Sequence, residues 1–298
     1  MENLISALSI GSMALSALIG IAIPAILYVL YRKKGANHLP FWIGCITFVL
    51  FALVLEQLAY FFLMKTALWK TITGNVLLLG VVGGLFAGVF EETGRFVAFK
   101  TVLRKKRGND HNALMYGAGH GGVEAVILLS VSMVINIIFS LQYNAGQSSL
   151  FGGLGEAQLL INTPFWMMLV GSLERIAAVA IHISLSVLVW FAAKDGKRFW
   201  LFPLAILLHL IVDAVAVILS RYGVNVWIIE GAVYLLAIAF IFLAVAVWKK
   251  NHTAQTEEPS AEISAEEKLE AALEPLEENA ETIVEAAEAV VKAAETVE

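Results

Sequence analysis

Seven stretches of the chain, at roughly residues 4–31, 41–64, 74–103, 113–142, 164–193, 199–220 and 225–248, each run for about 20 or more mostly apolar residues. A helix rises about 1.5 Å per residue, so each stretch is long enough to cross a hydrocarbon core about 30 Å thick. Inside that core every backbone N–H and C=O must be paired within the segment, which a helix achieves and an open strand does not. The expected fold is therefore all-α, a polytopic membrane bundle of about seven transmembrane helices spanning residues 1–250, followed by an acidic, helical or disordered tail over 251–298.

Basic residues in the connections orient the bundle. Alternate ends carry Arg32, Lys33 and Lys34, then Arg104, Lys105, Lys106 and Arg107, then Lys194, Lys197 and Arg198, then Lys249 and Lys250, against only Lys65, Lys70 and Arg221 on the other side. Twelve against three places the N-terminus outside the cell membrane and the C-terminus in the cytoplasm. The first run has no basic residue before it and three directly after it, the pattern of a retained helix rather than a cleaved signal.

After Trp248 the composition turns to Glu, Ala, Ser and Thr, and the formal net charge of -5 reflects this tail. Ser264 to Glu267 has capping-box spacing, and Leu269, Leu276, Ile283, Val290 and Val297 recur every seven residues. A solvated helix with weak self-association fits this pattern. Residues 143–164, rich in Gly and Ser and then briefly apolar, read as an interfacial or re-entrant cap. Cys45, the single cysteine, excludes a disulfide framework and reads as packing. Nothing in the basic residues points to nucleic acid.

Ionisable groups at membrane depth are costly and face a protein interior or a wet cavity, so each is a candidate site residue. In the third run Gly80, Gly84 and Gly88 repeat every four residues, a face for close helix approach, and Glu92 continues that stripe beside Glu91. Arg95 is within one turn of both carboxylates. It is expected to hold one of them, Glu92, leaving the other to a cavity. In the fourth run Tyr116, His120 and Glu124 share one face, and in the sixth His209 and Asp213 form an i, i+4 pair. The fifth adds His182, and Glu174 with Arg175 reads as an outer-side ion pair. Counted from the basic end, Glu91, His120, His182 and His209 lie roughly 10 to 18 Å deep. One polar cavity opening to the cytoplasm is expected.

A carboxylate among imidazoles, with no Ser or Cys nucleophile at that depth, fits water activation and peptide hydrolysis without a covalent intermediate. Glu91, His120 and His209 also compose a zinc-like shell with one position left for water, although the HExxH helix is missing, so a divalent metal such as zinc stays open. A proton-coupled transporter or channel is the alternative use of buried Glu and His chains, and a silent relative that binds a membrane peptide is a third.

"EETGR" (residues 91–95), "YGAGH" (116–120) and "HLIVD" (209–213), in that order on separate runs, resemble the motifs of the CAAX-protease and bacteriocin-processing superfamily of intramembrane proteases. "GHGGVEA" (119–125) resembles the YhfC-type branch. Arg95 follows Glu92 by three residues rather than four, Tyr116 replaces the usual Phe, and Asp213 replaces Asn. The resemblance implies a membrane hydrolase acting on a membrane-embedded or membrane-adjacent peptide. It assigns water activation to Glu91, assistance to His120, and oxyanion or metal contacts to His209 and Asp213, with Glu92 and Arg95 completing the catalytic set. Tyr116, Glu124 and His182 would line the cavity.

Overall fold

The computed structural model describes residues 4–252. The expectations for the tail, its capping box at Ser264 and its heptads, lie outside the described residues. Seven helices long and apolar enough to cross a membrane run over Ala7–Lys33, Leu39–Met64, Val76–Lys100, His111–Asn144, Met167–Lys194, Gly196–Arg221 and Val226–Asn251. No strand occurs among the described residues. The bounds differ from the hydropathy reading by a few residues.

The caps are legible in the residues. Ser6 accepts the Ser9 N–H, Asn75 the Leu78 N–H and Asn225 the Trp227 N–H, each satisfying a donor that its helix start leaves free. The first, third, fifth and seventh spans end in Arg32 and Lys33, Lys100, Lys194, and Lys249 and Lys250. Cations there complement the carbonyl end of each helix dipole and collect on one face of the bundle, here called the basic end. At that end Asp110 is buried and ties three spans together: its Oδ1 accepts from Trp190 Nε1 (2.8 Å) and Lys194 Nζ (2.6 Å), and its Oδ2 lies 3.0 Å from His252 Nδ1.

Small residues set the spacing within the bundle. The Gly80, Gly84 and Gly88 stripe lies against the sixth span, where a Cβ on Gly88 would come 2.7 Å from the Ile206 carbonyl oxygen. The fourth span presents Gly117 and Gly121 to the fifth, and a Cβ at Gly117 would come 2.6 Å from Ile183 Cα. The fifth span is the central one, with every residue from Ser184 to Ala193 buried. Two stretches depart from α geometry: Val49–Glu56 in the second span and Val126–Val131 in the fourth are π-helical. Such turns cluster at functional sites, and both adjoin acidic residues of the site below.

The connection expected to cap the bundle contains a nine-residue helix, Leu154–Asn162, at the end opposite the basic one. It buries Ala157 and Leu160 against Ile5, Met13, Phe139 and Met168. Its first turn is fixed by the Glu156 carboxylate, which accepts the Gly153 N–H at 2.8 Å. That bond holds the Glu156 carboxyl below the usual carboxylate range.

Candidate active site

The close packing of the third span on the sixth, and of the fourth on the fifth, brings Glu91, Glu92, Arg95, His120, His182 and His209 into one buried cluster. Glu92 is fully enclosed. Arg95 Nη1 donates to both of its oxygens at 2.7 and 2.6 Å, and His209 Nδ1 meets Oε1 at 2.8 Å. Glu91 turns the other way: its Oε2 lies 2.9 Å from His120 Nε2, 3.9 Å from His182 Nδ1 and 4.0 Å from His209 Nε2. Glu91 lines a polar cavity of about 110 Å³ and Glu92 does not. Sequence spacing left the two glutamates nearly equivalent; the helix rotation separates them.

His182 joins the cluster more closely than a lining residue would. Its Nδ1 receives Arg95 Nη2 at 3.2 Å, and its Nε2 lies 2.5 Å from Glu124 Oε2. Glu124 is in turn bound by Arg175, which also binds Glu174. The Glu174–Arg175 pair therefore forms, as expected, and extends through Glu124 to His182. Tyr116 is wholly buried, its hydroxyl hydrogen-bonded to Thr47 Oγ1 at 2.5 Å and its ring stacked on His120. It supports the imidazole rather than lining the cavity.

Three expectations are corrected. The metal-ligating set was read as Glu91, His120 and His209; the donor atoms that converge within 4.8 Å of one another belong to Glu91, His120 and His182. The reason is that the glycine stripe seats His209 beside Glu92, which takes its Nδ1. Asp213, expected to share oxyanion or metal contacts with His209, is not among these converging donors; Glu92 fixes the His209 ring, while Asp213 Oδ2 stands 3.5 Å from Nε2 with its side chain 38% exposed.

The third correction concerns the opening. The cavity is lined beyond the cluster by Glu174, Arg175, Asp213, Ala216 and Val233, all lying away from the basic end. Towards the basic end the cluster is closed by Phe99, Tyr116 and Trp190, each 0% exposed. The expected cytoplasmic opening is therefore replaced by one on the opposite side. Depth alone located the cluster, but not which of its sides was filled.

Two acidic residues escaped the sequence reading. Glu56 closes the π-helical turn of the second span, is 7% exposed, and lies within electrostatic reach of Glu91, His209 and Asp213. Glu230 is buried near Glu174 and Arg175. The signal that exposes both is the one applied elsewhere, an ionisable group several residues inside an apolar run.

The fold and this centre define a polytopic membrane protein carrying an acid–imidazole cluster assembled from four spans. Residues 19–233 match the family model described as YhfC intramembrane metalloprotease, and the chain belongs to that family. The uncharacterized membrane protein YhfC of Bacillus subtilis (strain 168) is 32% identical over 246 residues, covering 79% of this chain and 93% of the relative. No solved structure matches the chain.

Proposed function

We propose that this protein is an intramembrane endopeptidase that hydrolyses a peptide bond of a membrane-embedded or membrane-adjacent substrate by an activated water. The observation that carries the reading is the Glu91 carboxylate, 2.9 Å from His120 and facing a polar cavity within an otherwise apolar bundle.

Glu91, His120 and His182 fit a divalent metal such as zinc. A tetrahedral shell with bonds of about 2 Å spaces its donors roughly 3.3 Å apart, and Glu91 Oε2 lies 2.9 and 3.9 Å from the two imidazole nitrogens. Glu124, 2.5 Å from His182 Nε2, stands where a carboxylate orients a ligating histidine. The lone pair of His182 Nδ1 that a metal would use now receives the Arg95 N–H. When bound, a metal polarises the scissile carbonyl and its attacking water.

The protein's own groups account for the proton and the charge. Glu91 takes the proton of the attacking water at the carboxylate oxygen not turned to His120 and returns it to the amine nitrogen as the C–N bond breaks. His209, as the imidazolium, donates its Nδ1–H to Glu92 and presents Nε2–H to the cavity, where it can donate to the oxyanion that develops on the carbonyl. Arg95 keeps Glu92 an acceptor. Apolar surroundings strengthen each of these contacts relative to water.

The test is cleavage of membrane peptides by purified full-length protein, with metal content measured in parallel. E91Q is expected to reduce cleavage about 10²–10⁴-fold, the usual contribution of a positioned base. E124Q is expected to weaken metal retention about 10–100-fold. Wild-type cleavage in both E91Q and H120A would overturn the reading. A metal-free preparation of full activity would overturn its metal half.

A further inference from the structure

A second and larger cavity lies on the far face of the fifth span. It is a groove of about 620 Å³ between the first and seventh spans, floored by Ile176, Val179, Ala180, Ile183 and Val187 of the fifth. On a 100° helical wheel the midpoint of these floor positions falls roughly 115° from His182. The fifth span is thus a wall, with the Glu/His cluster on one face and the groove on the other. A peptide lying in the groove would be cut off from Glu91 by that helix, so the groove is not the path of the substrate.

Its dimensions point to a lipid. The floor from Ile176 to Val187 extends about 16 Å along the helix, close to half of a hydrocarbon core about 30 Å thick. All its walls, Ile23 to Tyr31, Leu114, and Ile241 to Trp248, belong to the basic half of the bundle. The floor starts at Val187 in that half and runs past the middle of the fifth span to Ile176, so the groove leads from the basic side to just beyond the midplane. The lining is apolar along its length, and the hydroxyl of Ser184, its polar side chain within the floor, is spent on the Ala180 carbonyl.

The end of the groove at the membrane surface has the opposite character. Tyr31 and Trp248 close it, the amphipathic rings that favour a headgroup layer. Beside them stand Arg32 and Lys33 at the end of the first span and Lys249 and Lys250 at the end of the seventh, with Lys34 one turn beyond Tyr31. An apolar slot that opens beneath a basic rim and runs inward past the midplane is complementary to an anionic phospholipid with an extended acyl chain.

We propose that this groove is a binding site for an anionic phospholipid of the leaflet at the basic end, its acyl chain on the fifth span and its headgroup among Lys34, Lys249 and Lys250.

Full-length protein in nanodiscs containing phosphatidylglycerol with a photoreactive acyl chain tests this directly. Labelling is expected to concentrate between Ile176 and Val187, well above that at Leu235 and Phe242, which are lipid-facing and 70% and 72% exposed. Replacing the probe by its phosphatidylcholine analogue, or introducing K34Q with K249Q, is expected to lower groove labelling roughly five-fold for each charge lost. A180F, which fills the floor, is expected to abolish it while the Leu235 signal persists, and that persisting signal reports a folded protein. Groove labelling no stronger than at Leu235, or unchanged by A180F, would overturn the site. Equal labelling by both headgroups would overturn its anionic preference, and crosslinking of a substrate helix there would replace the proposed occupant.

Discussion

Glu92 accepts two contacts from Arg95 and one from His209, whereas Glu91 meets His120 and the cavity, so removing each charge has a different consequence. E92Q leaves Arg95, 0% exposed, without its counter-charge, and breaking a buried pair in this way costs about 3–5 kcal/mol. Thermal unfolding in detergent should show E92Q strongly destabilised and E91Q close to wild type. Equal stability of the two would sink the division of roles. The arginine partner was legible from spacing, because Arg95 is within one turn of both glutamates. The choice between them was not, since it depends on how the third span is rotated against the sixth. His182 was half legible: it lies seven residues after Arg175 and so shares its face, but its contact with Glu124 crosses two helices.

At the scale of elements, the glycine stripe is the device that turns a sequence of spans into a site. It brings the sixth span close enough for His209 to reach Glu92, and the stripe is legible in the sequence as a four-residue repeat. A Cβ on Gly88 would meet the Ile206 oxygen at 2.7 Å and His209 Cβ at 3.5 Å, while one on Gly83 would meet only Tyr60 Oη at 3.6 Å. G88V is therefore expected to cost about 1–3 kcal/mol through overpacking and to reduce cleavage by displacing His209. G83A is expected to be neutral or slightly stabilising, since Ala is the better helix former. Equal unfolding temperatures for the two variants would show that the stripe does not set the spacing. The π-helical turns were not legible, because hydropathy is blind to one inserted residue. That turn nevertheless leaves Glu56 buried within reach of the cluster.

For the whole molecule, the seven spans and the basic end were legible because length, apolarity and lysine bias are properties of composition. The direction of the cavity is not legible from depth, because depth along a span carries no information on which side chains fill the space above and below the cluster. The residues themselves held the answer: Phe99, Tyr116 and Trp190 lie on the basic side of the cluster, and Glu174, Arg175 and Asp213 on the other. This asymmetry decides from which side water enters. A single native cysteine makes it measurable. In a C45S background, A216C places a thiol on the cavity wall and V102C places one at the basic end, where Val102 is 57% exposed. An impermeant thiol reagent is expected to label the two from opposite sides of the membrane, and by the lysine bias A216C should react in intact cells. Prior occupation of the cavity by a peptide substrate should slow labelling at A216C and leave V102C unchanged. Labelling of both from the same side would mean that the cavity opens at the basic end, and the polar entrance described here would be wrong.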